Sequence, residues 1–396
     1  MSINPLIFRA YDIRGIADSS TIPIDLSEES VYLIGKAAGT YLKKIYQSKT
    51  IAIGCDNRLT GPILKKTYIK GLLETGLDVT DIGLATSPMV YWTVCAGNIL
   101  GLNFDAGTNI TASHNPKEYN GLKIISKNAH SICGEELQKV LEIIQNNQFE
   151  TSTTPGKLTT LDIWPKYLED ISSKVKLKRK LKVVVDAGNG TTGKFAPELL
   201  QKLGCEVIPL YCDLDGNFPN HEANPEELHN MKDLIKKVLE THSDIGIGFD
   251  GDGDRVGIVD EKGKHYSSDF MLLLLAEDLL TRLPGSKIVF DIKVSQVIID
   301  KLKEHGAIPV MSKTGHSFIE AKMKEIKAPL AGEVSGHLFF AENYYGFDDA
   351  FLAAAKILEI LSNGTHPLSQ MFNDLPITFT TPEFKASCPD DKKFQI

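Results

Sequence analysis

The chain has 396 residues, 42% hydrophobic and 24% charged, the balance of a soluble globular protein with roughly two to four domains. Its formal charge of -8 excludes an ordinary nucleic-acid binder, which carries a basic balance, and leaves room for local basic pockets that take small anions. The longest apolar run, Phe270 to Ala276, is too short to span a bilayer, and the scattered cysteines (Cys55, Cys95, Cys133, Cys205, Cys212 and Cys388) form no C-x-x-C pair, so neither zinc nor a redox centre is signalled.

The N-terminus, Met1-Ser2-Ile3-Asn4-Pro5, lacks a basic segment followed by an apolar run, and with the unpaired cysteines this points to a reduced, cytoplasmic setting. Ile7 to Gly15 mixes apolar residues with Arg9 and Arg14. It reads as an amphipathic edge strand, with either solvated arginines or Arg14 delivered to an anion. From Ser27 to about Gln47 the pattern is helical, with Ser27 as N-cap and Glu28 and Glu29 in the first turn.

A unit then repeats three times. Ile51 to Gly54 is a short buried strand leading to Cys55-Asp56-Asn57-Arg58, a helix to about Glu74, Gly76 as its cap, and a strand opening at Leu77-Asp78-Val79. Val183 to Val185 leads in the same way to Asp186, a helix, Gly204 and the strand Cys205 to Pro209. Ile288 to Phe290 leads to Asp291-Ile292-Lys293, a helix, Gly306 and the strand Ala307 to Val310. Each is the length of a βαβ crossover, which predicts three consecutive related α/β domains.

Each unit is followed by a polar loop: Thr111 to Pro116 in the first, Asp250 to Arg255 after the apolar run Ile245 to Phe249 in the second, and Gly332 to His337 in the third. Open α/β sheets put their chemistry at strand carboxyl ends, so the three loops are expected to converge on one central cleft. In the first loop Ser113, between Ala112 and His114, is a hydroxyl on a turn, a candidate nucleophile or phosphate carrier. In the second, Asp250, Asp252 and Asp254 alternate with glycines, and carboxylates this close repel unless they share a small hard cation such as Mg²⁺ or Ca²⁺. A calcium EF-hand would continue to Glu261 at its twelfth position, but its sixth position is Arg255 rather than Gly and its flanks read as strands, so that motif is rejected. Lys123, alternating with apolar neighbours, is either an edge-strand lysine or an acid/base or anion clamp near Ser113. Lys313 to Ser317 offers another polar turn, and Glu333 and Ser335 are placed to hydrogen-bond neighbouring hydroxyls of a sugar.

Thr111-Ala112-Ser113-His114-Asn115-Pro116, Asp250-Gly251-Asp252-Gly253-Asp254-Arg255 and Gly332-Glu333-Val334-Ser335-Gly336-His337, in this order, resemble the three signature loops of the α-D-phosphohexomutase family. Phe8 to Gly15, Gly121-Leu122-Lys123-Ile124 and Lys313-Thr314-Gly315-His316-Ser317 resemble flanking motifs of its phosphomannomutase/phosphoglucomutase branch. The resemblance implies residues 1–152 as a domain with a phosphoserine loop, 153–262 with a metal loop, 263–370 with a sugar-binding loop, and 371–396 as a remnant of a phosphate-binding fourth domain.

It further implies that Ser113 carries a phosphoryl group and that Ser113, Asp250, Asp252 and Asp254 hold Mg²⁺. Ser113, Arg14, Lys123 and His337 would form the catalytic set, with Lys123 and His337 moving protons. Tyr11, His114, Arg255, Lys293, Thr314, Gly315, His316, Glu333 and Ser335 would bind the substrate. The implied reaction interconverts hexose 1-phosphate and hexose 6-phosphate of mannose or glucose, with glucose 1,6-bisphosphate as activator and intermediate, in a cytoplasmic monomer. Val334 and Gly253 stand where the phosphoglucosamine branch usually has Gln and Ala, which argues against that branch. A phosphoglucosamine mutase, a phosphatase using the same serine, and a non-catalytic sugar-phosphate binder are the alternatives. Family members also carry a fourth domain with an Arg-Ala-Ser-Asn-Thr-type loop. Beyond Pro367 this chain offers Ile377 to Thr380 and the charged stretch Asp390 to Lys393, so the resemblance implies a phosphorylatable site with poor turnover.

Overall fold

In the computed structural model, which describes residues 3–376, the three sequence repeats build sheets with a common centre. The expected fourth-domain remnant lies outside the described residues from 377 onward. In the first sheet the central strand Thr50–Cys55 pairs in parallel with Asp78–Leu84 and Ala106–Ile110, and Tyr119–Ser126 returns antiparallel to the latter. In the second, Lys182–Asp186 lies parallel to Glu206–Leu210 and Ile245–Phe249, and Val256–Asp260 returns antiparallel. In the third, Lys287–Asp291 lies parallel to Ile308–Ser312 and Leu330–Gly332, and Leu338–Phe340 returns antiparallel. Each signature loop is therefore the same turn of the same unit, between the last parallel strand and its antiparallel return. The central strands are apolar runs buried along most of their length, as strands covered on both faces require.

Local signals place the helices. Glu28–Tyr46 starts where the Ser27 side chain accepts from Ser30 N, with Glu28 and Glu29 in its first turn and Lys43 and Lys44 in its last, both favourable to the helix dipole. Two expectations need correction. Ile7 to Gly15 is not one strand: Asn4 caps the short helical turn Pro5–Ile7, and only Ile13–Ile16 pairs, antiparallel to Tyr119–Ser126 at the sheet edge. Tyr119–Ser126 is an inner strand, so Lys123 is a buried lysine rather than an edge lysine. The first sheet also takes in Leu158–Thr160 and the second His265–Tyr266. Strands of three and two residues are too short to leave a period in the sequence.

The three units share one apolar core. Trp92 on the helix Ser87–Cys95, Tyr167 on Trp164–Ser173 and Phe351 on Ala350–Asn363 meet ring to ring, at 5.5 Å between Trp92 and Tyr167 and 6.1 Å between Tyr167 and Phe351. Tyr167 and Tyr344 donate to Asp349 Oδ2, and Asp349 Oδ1 caps the last of these helices through Phe351 N and Leu352 N. Burial pushes the Asp349 carboxyl up to about 6, against the opposing pull of those four hydrogen bonds. A carboxyl with a raised folded pKa binds its proton more tightly folded than unfolded, so the wild type loses stability as pH climbs from about 4 toward 6. Asp349→Asn keeps the cap without the buried charge. It is expected to gain roughly 1 kcal/mol in chemical denaturation at about pH 7.5 and nothing at about pH 4.

Candidate active site

Ser113 stands at the centre of the three converging turns. Its backbone is left-handed, with φ 52, and its amide donates to Thr111 Oγ1 at 2.9 Å. This presents Oγ to the second domain, where it donates to Asp250 Oδ2 at 2.7 Å. The other oxygen, Asp250 Oδ1, accepts from the amides of Gly253, Asp254 and Arg255, so one carboxylate folds the acidic turn around itself. Gly251 permits the close approach of the two loops: a Cβ there would lie 2.5 Å from the Ser113 carbonyl oxygen. Gly251→Ala must push the acidic turn away from the Ser113 loop, and any turnover that needs the two together is expected to fall about a hundredfold with the melting temperature little changed.

Asp250, Asp252 and Asp254 are fully enclosed, and one oxygen from each lies within 4.8 Å of the others. Lys123 Nζ crosses from the first domain to Asp252 Oδ2 at 2.7 Å and to Asp254 Oδ2. Burial alone would lower the Lys123 pKa, but these two carboxylates outweigh it and hold the ammonium well above its ordinary value. Burial and repulsion from Asp254 and Asp252 push Asp250 well up. Asp252 Oδ1 and Asp254 Oδ1 are buried without a hydrogen-bond partner. Two orphaned carboxylate oxygens facing an all-oxygen donor set fit a small hard cation, and Mg²⁺ is the one such sets suit when a phosphoryl oxygen joins them. Glu261, the twelfth position of the rejected calcium motif, takes no part; it accepts from Ser369 N at 3.2 Å.

The third domain closes the cluster. Arg255 Nε donates to His337 Nε2 at 2.9 Å, and His337 Nδ1 faces Asp348 Oδ2 at 2.5 Å. Burial works against protonation of His337, but Asp254 and Asp348 outweigh burial and Arg255, and its pKa is raised. His316 stacks on His337 at 5.7 Å, and burial together with that neighbour's charge pulls it well down. Glu333 Oε1 accepts from Gly315 N, and Tyr11 OH donates to Thr314 O at 3.0 Å, so the first domain meets the third at the Lys313–Ser317 turn that Glu333 holds. Arg14 Nε donates to Asp12 Oδ2 at 2.7 Å and Nη1 to Asn115 Oδ1 at 2.9 Å, beside the Ser113 loop. His114 is pulled down to about 2 by burial and then by Arg255 and Arg14, so it is neutral. Asp291 Oδ1 accepts from Val334 N at 3.3 Å and Oδ2 from the Thr314 hydroxyl at 3.2 Å. Lys293 follows it by two positions on the exposed rim, and Ser335 lies half-buried on the third loop.

Contacts thus join Ser113, the acidic turn, Lys123, Arg14, Arg255, His337, His316, Gly315, Glu333, Thr314 and Tyr11 in one constellation. Sequence reasoning missed the groups that orient it. Ser87 donates to Asp252 Oδ2 at 2.6 Å and accepts from Asn109 Nδ2 at 3.1 Å, and Asp348 fixes the His337 ring. The signal available for Asp348 was the Asp348-Asp349 pair ahead of an apolar helix; Ser87 and Asn109 left none.

The comparisons with known proteins agree with this geometry. The family descriptions "Phosphoglucomutase/phosphomannomutase, alpha/beta/alpha domain" I, II and III match residues 5–151, 165–263 and 267–379. The chain is 43% identical over 391 residues to a phosphomannomutase/phosphoglucomutase of Pseudomonas putida, covering 98% of this chain and 81% of that protein. It is 41% identical over 392 residues to a phosphoglucomutase of Neisseria gonorrhoeae, covering 98% of this chain and 82% of that one. The crystal structure of a phosphoglucomutase/phosphomannomutase family protein from Burkholderia thailandensis superposes with a TM-score of 0.90 at 39% identity, over 96% of this chain and 82% of that one. No helix among the described residues is long and apolar enough to cross a membrane.

Proposed function

Because the chain belongs to the phosphoglucomutase/phosphomannomutase family, we propose that Ser113 is its phosphoryl carrier in the interconversion of hexose 1-phosphates and hexose 6-phosphates. One observation carries the assignment: the Ser113 hydroxyl lies 2.7 Å from Asp250 in a buried cluster of three carboxylates with unpartnered oxygens. A sugar hydroxyl attacks the phosphorus on Ser113, the phosphorus–Oγ bond breaks, and the electron pair stays on Oγ. The product is a bound 1,6-bisphosphate, which turns over and returns its other phosphoryl group to Ser113. Such transfers need positioning and neutralisation of charge more than covalent help from the protein.

Magnesium, held by Asp250, Asp252, Asp254 and the phosphorylated Ser113, would neutralise charge on the transferring group. Lys123 is held protonated in the resting site, where it supplies positive charge, and it gives that proton to the departing serine oxygen. His337 takes the proton of the attacking hydroxyl on Nε2, where Arg255 now donates, and passes to its charged form, which Asp348 at Nδ1 favours. Arg14 and Arg255 bring further positive charge, and Tyr11, His114, Lys293, Thr314, Gly315 and His316 bind the substrate around them. Glu333 and Ser335 hold the 3- and 4-hydroxyls, and since neither group reads the 2-hydroxyl, mannose and glucose phosphates are both accepted. The same reading gives a cytoplasmic monomer acting on small hexose phosphates, with glucose 1,6-bisphosphate as activator; the free cysteines Cys55, Cys95, Cys133, Cys205 and Cys212 suit a reducing compartment.

The test is a coupled assay on glucose 1-phosphate and mannose 1-phosphate with Mg²⁺ and glucose 1,6-bisphosphate. Formation of both 6-phosphates is expected. Release of inorganic phosphate in their place would make the protein a phosphatase, and binding without turnover would make it a sugar-phosphate binder.

A further inference from the structure

Arg58 is among the largest fully enclosed side chains of the molecule, 1% exposed. All five of its guanidinium N–H groups are engaged. Nη2 donates to Ser113 O at 2.8 Å and Asn115 O at 2.6 Å, Nη1 donates to Pro116 O at 2.8 Å and Tyr119 O at 3.0 Å, and Nε donates to Asp56 Oδ2 at 3.2 Å. Four of these bonds go to backbone carbonyls of one loop, the loop that presents the Ser113 hydroxyl. Ser113 holds a left-handed conformation that a side chain rarely adopts, and its carbonyl is caught between Arg58 and Gly251.

The same strand-end turn also grips the second domain, which carries Asp250. Asn57 N donates to Thr191 Oγ1 at 3.0 Å and Asn57 Nδ2 to Asn189 O at 2.8 Å. The Phe218 ring, also from the second domain, packs on the Arg58 guanidinium at 5.2 Å. One buried cation therefore fixes the nucleophile loop on one side and meets the metal-bearing domain on the other.

We propose that Arg58 is a positioning residue for phosphoryl transfer: through the carbonyls of Ser113, Asn115, Pro116 and Tyr119 it sets the Ser113 hydroxyl in register with Asp250, and Phe218 locks that register to the second domain. This rests on the reading of Ser113 as the phosphoryl carrier. Lysine cannot replace it, because an ammonium has three donors around one point and no planar fork. The loss falls on transfer rather than on sugar binding, since Arg58 reaches the substrate only through the serine loop.

The experiment follows phosphoryl loading of Ser113 from glucose 1,6-bisphosphate with Mg²⁺ by quenched-flow intact mass, alongside kcat and KM for glucose 1-phosphate. Rates are expressed per folded molecule, with the folded fraction taken from circular dichroism. The proteins are the wild type, Arg58→Lys and Phe218→Leu. Arg58→Lys is expected to slow loading and kcat by about tenfold or more while KM stays within about twofold, and Phe218→Leu to slow both about threefold. A purely structural arginine would lower the melting temperature and folded fraction and leave the rate per folded molecule unchanged; that result overturns the proposal. If Arg58→Lys does not fold, Phe218→Leu, whose ring is half-buried on a loop, decides: unchanged loading overturns the proposal and slowed loading supports it. A wild type that takes no phosphate on Ser113 overturns the reading of the serine, and the role of Arg58 with it.

Discussion

Ser113→Ala is expected to lower kcat/KM by roughly four orders of magnitude or more and to leave the protein without the phosphate that glucose 1,6-bisphosphate deposits on the wild type. The size of the effect follows from the division of labour in the cleft. On the proposed reading, Lys123, Arg14, Arg255 and the acidic turn position and neutralise a phosphoryl group, and only the Ser113 oxygen carries it between the two ends of a sugar. The fold is expected to survive. The deletion removes one hydrogen bond, from Oγ to Asp250 Oδ2, while the three amides on Asp250 Oδ1 and the four carbonyl contacts of Arg58 persist. The change in stability should therefore stay within about 1 kcal/mol. Intact and peptide mass spectrometry with a melting curve checks both halves. A phosphate on the Ser113→Ala protein, or turnover within a factor of about ten of the wild type, would sink the assignment.

What the sequence discloses of this site is local, and what it hides is long-range. Strand, Asp-bearing turn, helix and Gly cap are written within a few dozen residues, so the three repeats around Asp56, Asp186 and Asp291 are legible without a structure. The clustering of Asp250, Asp252 and Asp254 is legible for the same reason, because three carboxylates on a glycine turn have no other way to be stable when buried. The unit also explains what its aspartates do, which the sequence alone does not. Asp56 holds Arg58, Asp186 faces His221 Nε2 at 3.1 Å, and Asp291 holds Val334 and Thr314, so each strand-end carboxylate steadies a neighbouring turn. Lys123 alternates with apolar residues, a pattern shared by edge lysines, and only the pairing of Tyr119–Ser126 on both sides shows that it is interior. Ser87 becomes a site residue because the helix Ser87–Cys95 of the first unit meets the acidic turn of the second at Asp252, and Asp348 because Phe347–Asp348 pairs with Leu338–Phe340 beside His337. No spacing in the chain encodes that meeting.

The second large effect concerns the metal. Removing divalent cations with a chelator is expected to lower kcat by about a thousandfold or more and to lower the melting temperature, with both restored by Mg²⁺. Three enclosed carboxylates face Lys123 and the partly buried Arg255, and neither Asp252 Oδ1 nor Asp254 Oδ1 accepts a hydrogen bond. A cation that binds the folded cluster and has no matching site in the unfolded chain stabilises by mass action, about 2.7 kcal/mol at a hundredfold excess over its Kd. Asp252→Asn should abolish that stabilisation, because it removes a ligand oxygen and half of the Lys123 bridge in one step. Ca²⁺ separates holding from chemistry. Its bonds to oxygen run about 2.3–2.6 Å against about 2.0–2.1 Å for Mg²⁺, so it should raise the melting temperature while placing the phosphoryl group too far out for efficient transfer. Full turnover in excess chelator, or a melting temperature indifferent to Mg²⁺ in the wild type, would show that Lys123 and Arg255 neutralise the cluster by themselves and that Asp250, Asp252 and Asp254 hold no cation.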